Sequence, residues 1–234
     1  MTMIGDKLQQ VQARIVTACT AAGRDPASVR LLSVSKTFPP EALREAHAAG
    51  QHAFGENYVQ EGLAKIEALA DLRATIEWHC IGPLQSNKTR VVAEQFDWVH
   101  SVDRLKIAER LSAQRPAGLP PLQVCLQVNV DGGANKSGVP AEEALALARA
   151  VAALPQLQLR GLMAIPEPAP DFAAQRELFL RAAAVFDRIR ADGLALDVLS
   201  LGMSADLEAA IAAGSTMVRV GSAIFGIRGG RDLP

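Results

Sequence analysis

Lys36 closes an apolar run, Leu31-Leu32-Ser33-Val34-Ser35, and after Thr37 comes Phe38-Pro39-Pro40, which cannot continue a strand. The lysine therefore falls at the C-terminal end of a strand. At the mouth of a strand-lined cavity its amine would lose hydration and favour the free base, the form that condenses with an aldehyde. On this segment alone a solvated lysine at a loop entry is the competing reading, because lysines are mostly exposed. Two other groups bear on the choice. Gly202-Met203-Ser204 and Gly221-Ser222 each stand between a strand-like run and a helical pattern. Glycine lets a backbone approach an anion, serine adds a hydroxyl, and a helix start supplies unpaired N–H groups, so the pair suits a phosphate. Ser204 read by itself could equally cap a helix over 205–213. In Met217-Val218-Arg219-Val220-Gly221 the strand period of two puts Arg219 with Met217 and Gly221, opposite two valines that must pack under helices. The arginine then faces the interior, where it needs an acceptor: a heterocyclic nitrogen, or a carboxylate such as Glu56. An amine, a phosphate cradle and an arginine for a ring nitrogen match the aldehyde, phosphate and pyridine nitrogen of pyridoxal 5′-phosphate (PLP).

These groups must be positioned by the surrounding elements. Leu8, Val11, Ile15 and Ala18 fall on one helical face, with Gly23 where that helix would stop. Eight strand-like runs follow, at 31–35, 52–54, 76–81, 97–101, 123–130, 157–165, 197–201 and 217–220. Helix starts are marked by Pro39-Pro40-Glu41, Ser86, Asp103, Pro140-Ala141-Glu142, Asp171 and Ser204, and stops by Gly50, Gly193 and Gly214. The alternation predicts a parallel (β/α)8 TIM-type barrel with an extra N-terminal helix, as one domain over 1–234. A doubly wound open sheet competes, but no G-x-G-x-x-G follows the first strand. In a barrel the active groups gather at the strands' C-terminal ends, which here carry Lys36, Gly55-Glu56-Asn57, His79 with Gly82-Pro83-Leu84-Gln85, Ser101, Asn129, Met163, the 200–204 loop, and Arg219 with Gly221-Ser222.

The chain's 234 residues are 49% hydrophobic and 21% charged, enough for a large core, and the net charge of −1 offers no electrostatic case for nucleic acid or an anionic membrane. The N-terminus lacks the charged-then-apolar layout of a signal peptide, and no apolar run is long enough to span a bilayer, so a cytoplasmic protein is expected. Cys19, Cys80 and Cys125 are odd in number and far apart, and read as reduced thiols. His47, His52, His79 and His100 show no ligand spacing, so no metal is expected.

Longer motifs surround the chemical residues: Val34-Ser35-Lys36-Thr37, Phe54-Gly55-Glu56-Asn57-Tyr58-Val59-Gln60-Glu61, Trp78 through Lys88, Asn135-Lys136-Ser137-Gly138, Gly202 through Ile211, and Val218 through Gly226. Through these, over nearly the whole chain, the sequence closely resembles the pyridoxal phosphate homeostasis protein family of the YggS/PROSC type, related to the barrel domain of alanine racemase. The resemblance implies a Schiff base on Lys36, phosphate contacts from Ser204, Gly221 and Ser222, Arg219 at the pyridine nitrogen, and Asn57 beside the cofactor. It also implies a role in keeping free PLP low and available, with PLP-dependent apoenzymes as recipients. Leu201 and Ser222 depart from the family's more usual methionine and threonine, but keep the volume and the hydroxyl. Lys136, in a glycine-rich loop, reads either as a cation at the mouth or as a solvated lysine. Tyr58, the only tyrosine, reads as a packing residue at the start of the next helix or as a chemical group.

Three functions fit these residues. A carrier needs only reversible imine formation and a phosphate site. An amino acid racemase needs acid and base on both faces of the cofactor. In alanine racemases the second acid is a tyrosine from an extra C-terminal domain, whereas this sequence stops at Pro234, barely past the eighth strand. A lysine-dependent aldolase acting on a sugar phosphate would leave Arg219 without a purpose. The non-catalytic carrier, expected as a monomer, is the favoured reading and the racemase its alternative.

Overall fold

The computed structural model describes residues 2–132 and 137–226. α1 (Met3–Ala21) starts where the Thr2 hydroxyl accepts the Gly5 N–H, buries Leu8, Val11, Ile15 and Ala18, and stops before Gly23, which takes a left-handed φ of 65°. The chain then alternates: β1 (Arg30–Val34), α2 (Pro40–Ala48), β2 (Ala53–Glu56), α3 (Val59–Ala68), β3 (Glu77–Cys80), α4 (Thr89–Gln95), β4 (Trp98–Val102), α5 (Leu105–Gln114) and β5 (Leu122–Asn129). It continues through β6 (Val139–Pro140), α6 (Ala144–Ala152), β7 (Leu157–Met163), α7 (Phe172–Ala191), β8 (Val198–Ser200), α8 (Leu207–Ala212), β9 (Met217–Val220) and α9 (Ser222–Phe225). Successive strands pair in parallel from β1 to β5, then β7, β8 and β9, and β9 pairs back onto β1. The sheet is closed, so the fold is the eight-stranded TIM-type barrel with an added N-terminal helix, not an open doubly wound sheet. The two-residue β6 pairs only with the end of β5, outside the ring.

Several boundaries differ from the sequence reading. β2 runs on through Gly55 and Glu56, poor strand formers, because the ladder to His79 and Cys80 holds them extended. Ser86 opens a short 3-10 turn before α4. Pro140 sits in β6 and accepts the Glu143 N–H, which delays α6 to Ala144. α8 starts at Leu207, with Asp206 and not Ser204 at the cap position.

Apolar residues form two layers. A large shell packs strands against helices, while Leu32, Val34, Ala53, Ile81, Trp98, Cys125, Met163, Val198 and Met217 fill the barrel's interior. This inner set fixes the phase of each strand, since side chains alternate faces. Leu32 and Val34 point inward, so Lys36 continues the inward row to the mouth. By the same count Arg219 follows Met217, Ser200 follows Val198, and His100 follows Trp98.

Candidate functional site

Lys36, Asn57, Ser204, Arg219, Gly221 and Ser222 all line one cavity of about 670 Å3 at the C-terminal mouth of the barrel. Its apolar wall comes from Val34, Phe38, Ile81, Ile165 and Met203, of which Ile165 and Met203 are 45% and 41% exposed. A wider depression of about 890 Å3 lies beside the starts of β7 and β8, but Arg160 and Asp197, which line it, already pair with each other.

The turn carrying Lys36 is tied down by its neighbours. Thr37 has φ 70°, a left-handed conformation that a β-branched residue adopts at a cost of roughly 1–3 kcal/mol. Its N–H donates to Glu61, and the Phe38 N–H donates to the Ser35 carbonyl at 3.1 Å. Behind the turn lies the buried side chain of Lys65, on α3. Its Nζ donates to the Ser35 carbonyl at 2.7 Å, to Glu56 Oε1 at 2.8 Å and to Glu61 Oε1 at 2.7 Å. Glu56 Oε1 also accepts the Ser35 hydroxyl at 2.6 Å. An ammonium has three N–H donors, and Lys65 uses all of them to join the ends of β1 and β2 to α3. Burial pushes the Glu56 carboxyl above its ordinary range despite the opposing pull of Lys65 and Ser35. Lys36, in contrast, has no hydrogen-bond or ion-pair partner among the described residues and is exposed. The desolvation expected for its amine is therefore not supplied by the described residues.

Arg219 is 4% exposed and donates from Nη1 to the Ser200 carbonyl at 2.6 Å and hydroxyl at 2.8 Å, and from Nη2 to the Ala164 carbonyl at 3.1 Å. Burial brings its pKa down to about 10, so it stays charged at neutral pH. Glu56 is not its partner, as one reading of the sequence allowed, because that carboxylate faces α3 and pairs with Lys65. Of the five guanidinium N–H groups, three are used in these bonds, and the remainder are available to the cavity.

The loops after β8 and β9 also line the cavity. Gly221 runs so close to β1 that a Cβ there would lie 2.9 Å from the Val34 carbonyl, which brings Ser222 beside the strand bearing Lys36. Ser204 does not cap α8: Asp206 Oδ1 accepts the Met203 N–H at 2.6 Å, and the Ser204 hydroxyl accepts the Ala223 N–H at 3.4 Å. The N-terminal helix has a role here too. Arg14 on α1 donates to the Ser204 carbonyl at 3.1 Å while paired with Glu208, and so fixes the 203–206 loop from outside the ring. Phe38 and Phe225, with ring centroids 5.2 Å apart, join the loops after β1 and β9.

Other expected mouth residues lie elsewhere. His79 is fully buried inside the barrel, Met163 belongs to the inner core, and the Ser101 hydroxyl donates to the Gly82 carbonyl at 2.6 Å. Tyr58 immediately precedes α3, yet is 58% exposed and does not pack. Lys136 lies outside the described residues. Sequence reasoning missed Lys65, and it placed Ser200 at a strand end without giving it a role. A lysine four residues after a glutamate on a helix carries no mark of burial, and Ser200 became relevant only once Arg219 had been placed.

The donor set fits PLP. The Asn57 Oδ1 atom is buried without a hydrogen-bond partner, Arg219 retains free donors, and Lys36 is unpaired. A β/α barrel whose mouth joins a free lysine, an inward arginine and two Gly/Ser loops defines a cofactor-binding barrel. Residues 7–229 match the family described as alanine racemase, N-terminal domain. The pyridoxal phosphate homeostasis protein of Pseudomonas aeruginosa is 61% identical over 97% of each chain, and that of Escherichia coli K12 is 55% identical over 97% of this chain and 98% of its own. The structure of PipY from Synechococcus elongatus PCC7942 with PLP bound has 39% identity and a TM-score of 0.83, covering 95% of this chain and all of the other. The chain belongs to the pyridoxal phosphate homeostasis protein family.

Proposed function

We propose that this chain binds PLP at the barrel mouth and serves as a non-catalytic reservoir that keeps the free cofactor low and deliverable to apoenzymes. The observation that carries the reading is the convergence of Lys36, Arg219 and the two Gly/Ser loops on one cavity. Its relatives' names and the PLP-bound PipY support it. In such a site Lys36 would hold the aldehyde end, Arg219 would donate to the pyridine nitrogen, and Ser204, Gly221 and Ser222 would hold the phosphate, with Asn57 beside the ring. The cofactor's aldehyde supplies reversible covalent chemistry toward an amine. Arg219 can only donate, so it holds the ring nitrogen unprotonated and makes the ring a weak electron sink. Racemisation further requires proton exchange on both faces, yet the described residues lining the cavity include no carboxylate, imidazole or phenol.

Absorption spectroscopy with borohydride reduction and peptide mass mapping tests the reading. The reduced adduct is expected on Lys36, and an adduct on Lys65 or Lys88 would overturn the assignment. Calorimetry should find pyridoxal, which has the aldehyde but no phosphate, binding far more weakly than PLP; equal affinity would remove the phosphate cradle. Rapid deuterium incorporation at the α-carbon of alanine, lost in Lys36→Ala, would replace the reservoir with a racemase.

A further inference from the structure

Below Arg219 a line of polar groups runs through the otherwise apolar barrel interior. Arg219 Nη1 lies 2.8 Å from Ser200 Oγ, which is 3.2 Å from His100 Nδ1, and His100 Nε2 is 2.9 Å from His79 Nδ1. His79 Nε2 then faces Glu77 Oε2 at 3.6 Å, an ion-pair distance and too long for a hydrogen bond. Ser200, His79 and His100 have no exposed surface. Glu77 sits at the floor of the barrel, paired with Arg30 and accepting the Trp98 Nε1–H at 3.0 Å. Both imidazoles lie against Trp98, and that of His79 stacks on it at 5.1 Å.

The chemistry of the two ends fixes every proton between them. Arginine only donates, so Ser200 Oγ must accept from it, which leaves the single hydroxyl proton for His100 Nδ1. A neutral imidazole has one donor and one acceptor; His100 therefore carries its proton on Nε2 and gives it to His79 Nδ1. His79 in turn carries its proton on Nε2, facing the carboxylate. Counting from Glu77, which accepts only, gives the same order. The reverse order would leave the Ser200 proton without an acceptor and set an imidazole lone pair against a carboxylate. Burial lowers the pKa of both histidines, in agreement with neutral rings.

We infer that His100 and His79 are positioning residues for Arg219: as Nε2–H tautomers they orient the Ser200 hydroxyl as an acceptor and hold the guanidinium aimed at the heterocyclic nitrogen of the ligand. The inference rests on the PLP reading of the cavity and extends it to groups that touch no ligand. The chain also explains why two imidazoles stand in an apolar core, since every donor in it has an acceptor within hydrogen-bond reach except the His79 Nε2–H, which faces the Glu77 carboxylate at 3.6 Å.

Two measurements test this. Nitrogen-15 NMR of the cofactor-free protein at pH 7.5 should find both rings as Nε2–H tautomers; an Nδ1–H tautomer or an imidazolium at either position overturns the inference. Second, affinities are compared for PLP and for its analogue with C–H in place of the ring nitrogen. The wild-type preference for PLP should shrink about fivefold in His100→Leu, the worth of one net hydrogen bond. It should be retained in His100→Asn, whose amide oxygen can replace Nδ1 as the acceptor. General destabilisation would weaken both ligands alike and leave the ratio unchanged, which would overturn the positioning role. Arg219→Leu distinguishes the two layers of the argument. If it abolishes the preference while His100→Leu keeps it, only the histidine inference fails; if Arg219→Leu keeps it, the assignment of Arg219 fails and the inference with it. Should His100→Leu not fold, the tautomers still decide.

Discussion

Replacing Lys65 by methionine removes a buried ammonium and leaves the partners that it joined. The side chains of Lys65 and Glu56 are 4% and 1% exposed, so after the change Glu56 has little access to water. Glu61, at 27%, can rehydrate, and the Ser35 carbonyl loses one of its donors. Removing one member of a buried pair costs about 3–5 kcal/mol. Glu56 keeps the Ser35 hydroxyl, so the lower part of the range, about 3 kcal/mol, is expected near pH 8. The pH dependence carries a sign. The Glu56 pKa is already raised by burial, and losing Lys65 removes an interaction that lowers it. Above the ordinary glutamate range the native state of the variant then binds a proton that the unfolded chain does not, and stability falls as pH rises. Lys65→Met should therefore lose more at pH 8 than at pH 5. Adding Glu56→Gln should abolish that slope and restore about 1–2 kcal/mol, because an uncharged amide is cheaper to bury. Urea unfolding of both variants across this pH range, each referred to the other so that the histidines cancel, measures the effect. A loss below about 1 kcal/mol in Lys65→Met, or a double variant no more stable than the single, would refute the account of this network as a buried clamp on the Lys36 turn.

Two further outcomes are expected. Burial holds the folded pKa values of His79 and His100 below the unfolded value near 6.5, so their contribution is present above pH 6.5 and is lost as pH falls below it. Chemical unfolding of the wild type and of His100→Asn from pH 7.5 to 5 should give a clearly shallower acid loss in the variant, and equal slopes would count against two neutral buried rings. A Cβ at Gly82 would lie 2.0 Å from the Asn57 carbonyl oxygen, a backbone atom that cannot swing aside. Gly82→Ala should cost about 2 kcal/mol and weaken PLP binding through Asn57, whereas Gly118→Ala, with nothing within 4 Å, should be close to neutral in thermal unfolding.

The parts of this fold legible in the sequence are those in which local pattern and tertiary demand agree. The glycine stops at 50, 193 and 214 all take positive φ, and the strand-like runs coincide with the ring because each is a short apolar segment between helical patterns. Arg219 was legible for the same reason: two valines on the opposite face leave it one direction to point. Ser204 was harder to place, because a serine before a helix fits a cap as well as a ligand contact, and only the Asp206 side chain, bonded to the Met203 N–H, separates the two. The least legible features are pairings between distant strands and helices. His79 reads from the sequence as a strand-end group, but its neighbour is His100, 21 residues on, on the adjacent strand β4, whose register against β3 no local signal contains. Lys65 reads as the basic partner in an ordinary helical i, i+4 pair with Glu61, which at a surface would contribute only a few tenths of a kcal/mol. It becomes a buried clamp because the end of β2 places Glu56 beneath it. The lysine that announces itself in the sequence is the exposed one, and the lysine that fixes its turn is hidden by the fold. Chemistry is written in residue type, whereas support is written in three-dimensional register, so sequence reasoning finds Lys36 before it can find what holds it.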